Sequence, residues 1–125
     1  MEQMSSSRPY LLRALNDWII DNGMTTHVVV DANAKDVQVP REFVEAGKIV
    51  LNISPAAVQH LVLDNHFLSF SARFSGKAMD IFVPINAVMA IYAKENGQGM
   101  VFTDDPSPPP EDPAPDDKPK LRLVK

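Results

Sequence analysis

The last 23 residues bound what the rest of this chain can be. From Thr103 it reads TDDPSPPPEDPAPDDKPKLRLVK and holds seven of the eleven prolines. Asp104 to Asp117 is proline and carboxylate, with nothing aliphatic larger than Ala114; Lys118 to Lys125 is basic. Leu121, Leu123 and Val124 reappear only at the tip. A stretch this polar and proline-rich buries too little apolar surface to offset the entropy of ordering it, so it is predicted to be disordered with a polyproline II bias. A disordered tail ending in a compact apolar and basic patch reads as a tether with a grip at its tip. The plainer alternative is a solubilising tail. In both cases folding falls to roughly 100 residues, enough for one small domain with a modest core. The expected organisation is a folded domain over 1–102, a linker over 103–120 and a terminal motif over 121–125.

Charge narrows the partner classes. Residues 1–102 carry eight bases and ten acids, and the tail four bases and six acids, so each part is −2 and the chain −4. A mildly acidic domain without a basic stripe is a poor nucleic-acid binder, because phosphate neutralisation supplies most of that affinity. The absence of cysteine excludes a disulfide framework and a thiolate zinc site. The opening MEQMSSSRPYLL has an acid at position 2 and no long apolar core, unlike a signal peptide. No apolar run approaches the roughly twenty residues of a membrane span. The expectation is a soluble, cytoplasmic protein.

Ser5-Ser6-Ser7-Arg8-Pro9 reads as a helix start, with a serine to cap and a proline in the first turn. The helix is predicted to run to about Asp21 and to stop at Asn22-Gly23. Leu11, Leu12, Leu15, Trp18 and Ile19 share one arc, flanked by Tyr10 and Ala14, with Ile20 across from it. One arc suffices to dock on a sheet. The spare apolar residues point to a second covered face, as a partner subunit would supply, or are scattered surface residues.

From Thr26 the period changes from helical to alternating. HVVVD (27–31), VQV (37–39) and KIVLNI (48–53) read as extended, with one helical turn in PREFVEAG (40–47). Ala56 to His60 fits a short helical turn. Leu61–Leu63 and Phe67–Phe74 bracket a hairpin loop at Asp64-Asn65-His66. Leu68, Phe70, Ala72 and Phe74 alternate with Ser69, Ser71 and Arg73, the mark of a half-buried strand. Ser75-Gly76 turns into Ala78–Val83. Residues 85–93 fit a short helix or, after a turn at Asn86, a closing strand; the β-rich surroundings favour the strand. Met100–Phe102 adds a last edge. The predicted fold is mainly β with one N-terminal α-helix: a small curled sheet or partly open β-barrel, followed by the tail.

Catalytic patterns are missing. His27, His60 and His66 make no i, i+4 pair and have no second ligand at metal spacing. Ser69, Ser71 and Ser75 lie outside any nucleophile elbow, and no phosphate-binding glycine loop occurs. Asp64 and Asp80 read as separate, solvated acids. No enzyme activity, metal or cofactor is expected.

Several segments together resemble the SspB (stringent starvation protein B) family of bacterial adaptors, which deliver tagged proteins to the ClpXP protease. They are RPYLLRALNDWIIDN (8–22), HVVVD (27–31), VQVP (37–40), KIVLNISP (48–55), SARFSG (71–76), VPINAVMAIYAKENG (83–97) and LRLVK (121–125). Order, spacing and the detached tip agree along the whole folded part. Leu123 stands where valine is expected, leaving apolar character unchanged, and the linker is shorter than in longer-tailed relatives.

The resemblance implies an Sm-like barrel with the helix packed on it, no enzyme activity, and a homodimer formed through that helix at Tyr10, Leu11, Ala14, Leu15 and Trp18. It implies a groove for the ssrA degradation tag, with Asn52, Ala72, Arg73 and Phe74 in segments matching the tag-binding side. It also implies that Leu121, Arg122, Leu123, Val124 and Lys125 dock on the N-terminal zinc-binding domain of ClpX. An extended tag needs backbone partners, a pocket and orienting polar groups. Phe74 is either pocket wall or plain core; Arg73 either meets the tag or is a solvated strand charge. The alternatives to the adaptor are a generic peptide-binding β-domain with a solubilising tail and an RNA-binding Sm-like module, the latter opposed by the acidic balance.

Overall fold

A computed structural model describes residues 4–102. The expected linker (103–120) and terminal motif (121–125) lie outside the described residues. Helix α1 spans Arg8–Asp21 and is followed by seven strands: β1 Thr26–Asp31, β2 Lys48–Asn52, β3 Val58–Leu63, β4 Phe67–Phe74, β5 Lys77–Pro84, β6 Val88–Ala93 and β7 Gly99–Val101. They form two antiparallel sheets, ordered β2-β1-β6-β7 and β3-β4-β5, that share one core without closing into a barrel.

The helix begins and ends as its sequence requires. Ser7 occupies the N-cap without a side-chain bond, and the Arg8 N–H donates to Ser6 Oγ at 3.1 Å instead. Pro9 takes the first turn, where its missing N–H costs nothing. At the other end Gly23 adopts φ 73°, and the N–H groups of Gly23 and Met24 return to the Ile20 and Ile19 carbonyls. That pair of bonds is the Schellman stop, which needs the left-handed residue glycine supplies.

The buried face of α1 is rotated from the expected arc. Pro9, Leu12, Asn16 and Ile19 are buried, and Leu11 and Leu15 only half-buried. The helix meets β6, β1 and β3, and that docking angle puts Asn16 where a leucine would be expected.

Strand alternation builds the core: Val28 and Val30 of β1, Ile49 and Leu51 of β2, Leu68 and Phe70 of β4, Ile81 and Val83 of β5. In β6 both Val88 and Ile91 are buried, though three apart they cannot share one face of a regular strand. The register against β1 shifts between Val29 and Val30, so a bulge turns both inward. Residues 85–93 take the strand alternative: a 3-10 turn at Ile85–Ala87, around Asn86, leads into β6. The helical turn expected over 56–60 does not form; β3 starts at Val58, because Val58 pairs with Ala72 and buries its side chain.

Hairpin chemistry closes the second sheet. Asp64 Oδ1 accepts the N–H groups of His66 and Phe67 at 2.8 and 2.9 Å, and these bonds hold its carboxyl below the usual pKa. Ser75 and Gly76 both take positive φ, 53° and 82°, as a two-residue hairpin turn demands. The long excursion after β1 is pinned to β5 by paired backbone bonds between Gln38 and Phe82.

Candidate functional site

A groove of about 560 Å³ opens at the start of β3. Residues 55–59 make one wall, and residues 71–73 of β4 with Ala78 of β5 make the other. Its cause is a mismatch in strand length. The β3 ladder begins at Val58↔Ala72, whereas β4 continues through Arg73 and Phe74, paired only with Ala78 and Lys77 of β5. One edge of β4 is therefore left without a strand partner over its last two residues. The chain from β2 enters β3 through a hydrogen-bonded bend: Asn52 Oδ1 accepts the Ser54 N–H at 2.9 Å and the Ser54 hydroxyl at 2.6 Å, and the Ala57 N–H reaches back to the Ser54 carbonyl.

The lining suits close approach by a backbone. Ala56, Ala57, Ala72 and Ala78 keep the walls low, while Gln59, Ser71 and Arg73 supply polar groups. The Ser71 hydroxyl donates to the Asp80 carboxylate at 2.6 Å. Among the described residues, the Arg73 side chain makes one hydrogen bond, from Nη1 to the Gly76 carbonyl at 3.3 Å. Arg73 is exposed, so most of its five donors face solvent. The arrangement offers an open strand edge, low small-residue walls and a cation with unused donors, the parts that hold an extended peptide.

Of the four residues expected at this site, two line the groove, Ala72 and Arg73. Asn52 does not; it shapes the bend leading into the wall. Phe74 lies outside the groove lining, half-buried with its ring centroid 5.8 Å from that of Phe43. Ala56, Ala57 and Ala78 escaped the sequence reading of the site because small residues carry no signal until another segment faces them.

A second surface lies on α1. At about 100° per residue, the buried residues span roughly 80° of the helix, and Tyr10, Ala14, Trp18, Leu11 and Leu15 occupy the adjoining 140° or so. Tyr10 and Trp18 are 50% and 47% exposed, a large apolar area for one short helix. Tyr10 is held in place: Arg13 stacks over its ring at 4.7 Å, and Asn65 Nδ2 donates to its hydroxyl at 3.1 Å.

Among the described residues no three of His, Asp and Glu converge on a possible metal position. His27 stands edge-on to Tyr92, and burial chiefly, with Lys94 adding, pushes its imidazole pKa down against the opposing pull of Glu95. Glu95 instead clamps the turn before β1, accepting the Thr25 N–H and hydroxyl at 2.8 and 2.7 Å. No helix among the described residues is long and apolar enough to cross a membrane.

The chain is similar to known proteins along most of its length. The family model described as stringent starvation protein B matches residues 6–125. A curated relative, the stringent starvation protein B homolog of Haemophilus influenzae, is 50% identical over 103 residues, which is 82% of this chain and 69% of the relative. With a family match over nearly the whole sequence and half of the aligned residues identical, this chain belongs to the stringent starvation protein B (SspB) family.

Proposed function

We propose that this protein is a proteolytic adaptor that binds the ssrA degradation tag of stalled-translation products and tethers them to the ClpX unfoldase of ClpXP. It catalyses nothing itself. The observation that carries the reading is the groove at the unpaired end of β4, where Arg73 stands exposed beside low alanine walls. Family membership supports it, as does the composition of the last 23 residues. An extended tag adds to the strand edge through its backbone, and Arg73 meets its carboxylate or carbonyl groups. Two copies associate through the apolar face of α1 at Tyr10, Leu11, Ala14, Leu15 and Trp18. Leu121, Leu123 and Val124 grip the N-terminal zinc-binding domain of ClpX, with Arg122 and Lys125 steering toward an acidic surface. Residues 103–120 are the leash, and at about 3.1 Å each in polyproline II they reach on the order of 50 Å. Held so, cargo sits near the unfoldase at an effective concentration of order millimolar, and a weak grip at each end still delivers.

The test is a pull-down of tagged against untagged cargo, followed by ClpXP degradation with and without the protein. The reading requires capture of the tagged cargo alone and its faster degradation. Equal capture of both cargoes, or no change in degradation, refutes it.

A further inference from the structure

The outer face of the sheet β3-β4-β5 is not uniformly polar. Leu68, Phe70, Ile81 and Val83 face the core, so by alternation Phe67, Ser69 and Phe82 lie on the side away from it. Val62 is there too, because the ladder runs Val62↔Ser69 and Ser69↔Phe82. Phe67 and Phe82 are half-buried, with ring centroids 5.2 Å apart and planes at 32°, and Val62 is 42% exposed. The cross-strand ring contact steadies the hairpin. The rings and the valine still leave an apolar patch open to solvent.

Carboxylates stand at both ends of the patch. Asp80 precedes Phe82 by two residues on the same face of β5, about 7 Å away. At the other end Pro84, opposite Phe67 in the ladder, enters a cleft of about 250 Å³ lined also by Asp31, Ala34, Lys35, Asp36 and Asn86. Asp31 and Asp36 against Lys35 leave that cleft negative. Phe102, the last described residue, lies beside it: the Arg8 guanidinium sits over the Phe102 ring at 5.3 Å and donates to the Asn86 carbonyl at 3.1 Å.

We propose that this face receives the chain's own residues 121–125, folded back across Phe67 and Phe82. The chemistry of LRLVK matches the patch: Leu121, Leu123 and Val124 are apolar, Arg122 and Lys125 basic. Laid extended, the segment turns Leu121, Leu123 and Lys125 to one side. The leucines meet the rings, and Lys125 comes about 7 Å beyond Leu123, the same step that separates Phe82 from Asp80. Residues 103–120 supply the return. As a coil they span about 25 Å, against a domain about 34 Å across, so no stretching is needed. A short segment holding at about millimolar strength, at an effective concentration also about millimolar, occupies the face roughly half of the time. While docked it is withheld from the unfoldase, whose apparent affinity for it falls about twofold. That consequence rests on the adaptor reading; the docking itself does not.

The experiment uses the full-length protein. The chain has no cysteine, so Pro119→Cys carries a single nitroxide label, and paramagnetic broadening of the backbone amides is read by NMR before and after the nitroxide is reduced. Residues 67–69 and 80–84 should broaden severalfold more than β2 in the other sheet. Leu121→Ser with Leu123→Ser, which leaves the domain untouched, should abolish that excess. Phe82→Ser should abolish it too, with a thermal melt to show that the variant is folded. Mixing isotopically labelled protein that lacks the nitroxide with unlabelled protein that bears it should give no excess, placing segment and face in one chain. Uniform broadening, an excess elsewhere, an excess that survives the leucine substitutions, or an equal excess in the mixture (docking between copies) overturns the proposal. Failure of wild type to bind ClpX, with the excess intact, overturns the adaptor reading alone.

Discussion

Replacing Arg73 by alanine separates a binding role from a structural one, because its fold contacts are so few. The side chain is exposed, and its one hydrogen bond among the described residues spans 3.3 Å to the Gly76 carbonyl. A surface charge of that kind contributes within about 0.5 kcal/mol of stability either way. For a domain of this size the melting midpoint then moves by no more than about 2 to 4 °C. A charge-assisted hydrogen bond to the tag is worth about 1.5 to 3 kcal/mol. At 1.4 kcal/mol per tenfold, Arg73→Ala should weaken tag binding by about 10- to 100-fold. Fluorescence anisotropy gives the dissociation constant and circular dichroism the midpoint. Arg73→Lys should retain part of the loss, since it keeps the charge and gives up the planar fork. An unchanged dissociation constant removes Arg73 from the site. A fall in midpoint of 10 °C or more means that its role is structural, and the argument from its few contacts fails.

Replacing Tyr10 and Leu15 together by polar residues should yield monomers in sedimentation velocity while each domain still binds tag; a variant that stays dimeric moves the contact off α1. Deleting residues 121–125 should leave tag affinity intact and abolish stimulated degradation by ClpXP, and wild-type delivery by that deletion would reduce the tail to a solubiliser. Leu12, 1% exposed beneath the helix, should cost about 2 to 5 kcal/mol of unfolding free energy when cut to alanine, read by urea titration. Asp64 has a folded pKa held below its unfolded value by the His66 and Phe67 N–H groups, so its contribution is present above the unfolded pKa and lost as pH falls through the folded one. Acid titrations of wild type and Asp64→Asn should accordingly differ in slope below about pH 4, and coincident curves would show that the loop bonds are not linked to folding.

Much of the fold was readable because local chemistry decides it. The Asn22-Gly23 stop and the Ser75-Gly76 turn rest on backbone conformations that few residues tolerate, and both formed where the sequence put them. Alternation placed Leu68 and Phe70 in the core, because a strand's two faces are set by parity alone. Residues 56–60 misled, since Ala56-Ala57 favours helix and nothing local announces that Val58 will pair with Ala72. Segment 85–93 was open to two readings for a similar reason: Val88 and Ile91 have helical spacing, and only a bulge against β1 lets a strand bury both.

The candidate site shows the same division. Sequence alone settled the family, the β-rich class with its single helix, and Arg73 as an outward-facing strand charge, because each depends on residue order and parity. Tertiary structure decided that β4 outruns β3 by two residues, that Asn52 is spent on the bend at Ser54, and that Phe74 meets Phe43 across 31 positions of chain. It also decided which face of α1 is buried, placing Asn16 inside and leaving Trp18 half outside. Helical period ranks faces by apolarity, whereas the docked angle is chosen by the sheet beneath, through the fit of side chains from segments that have no contact in sequence.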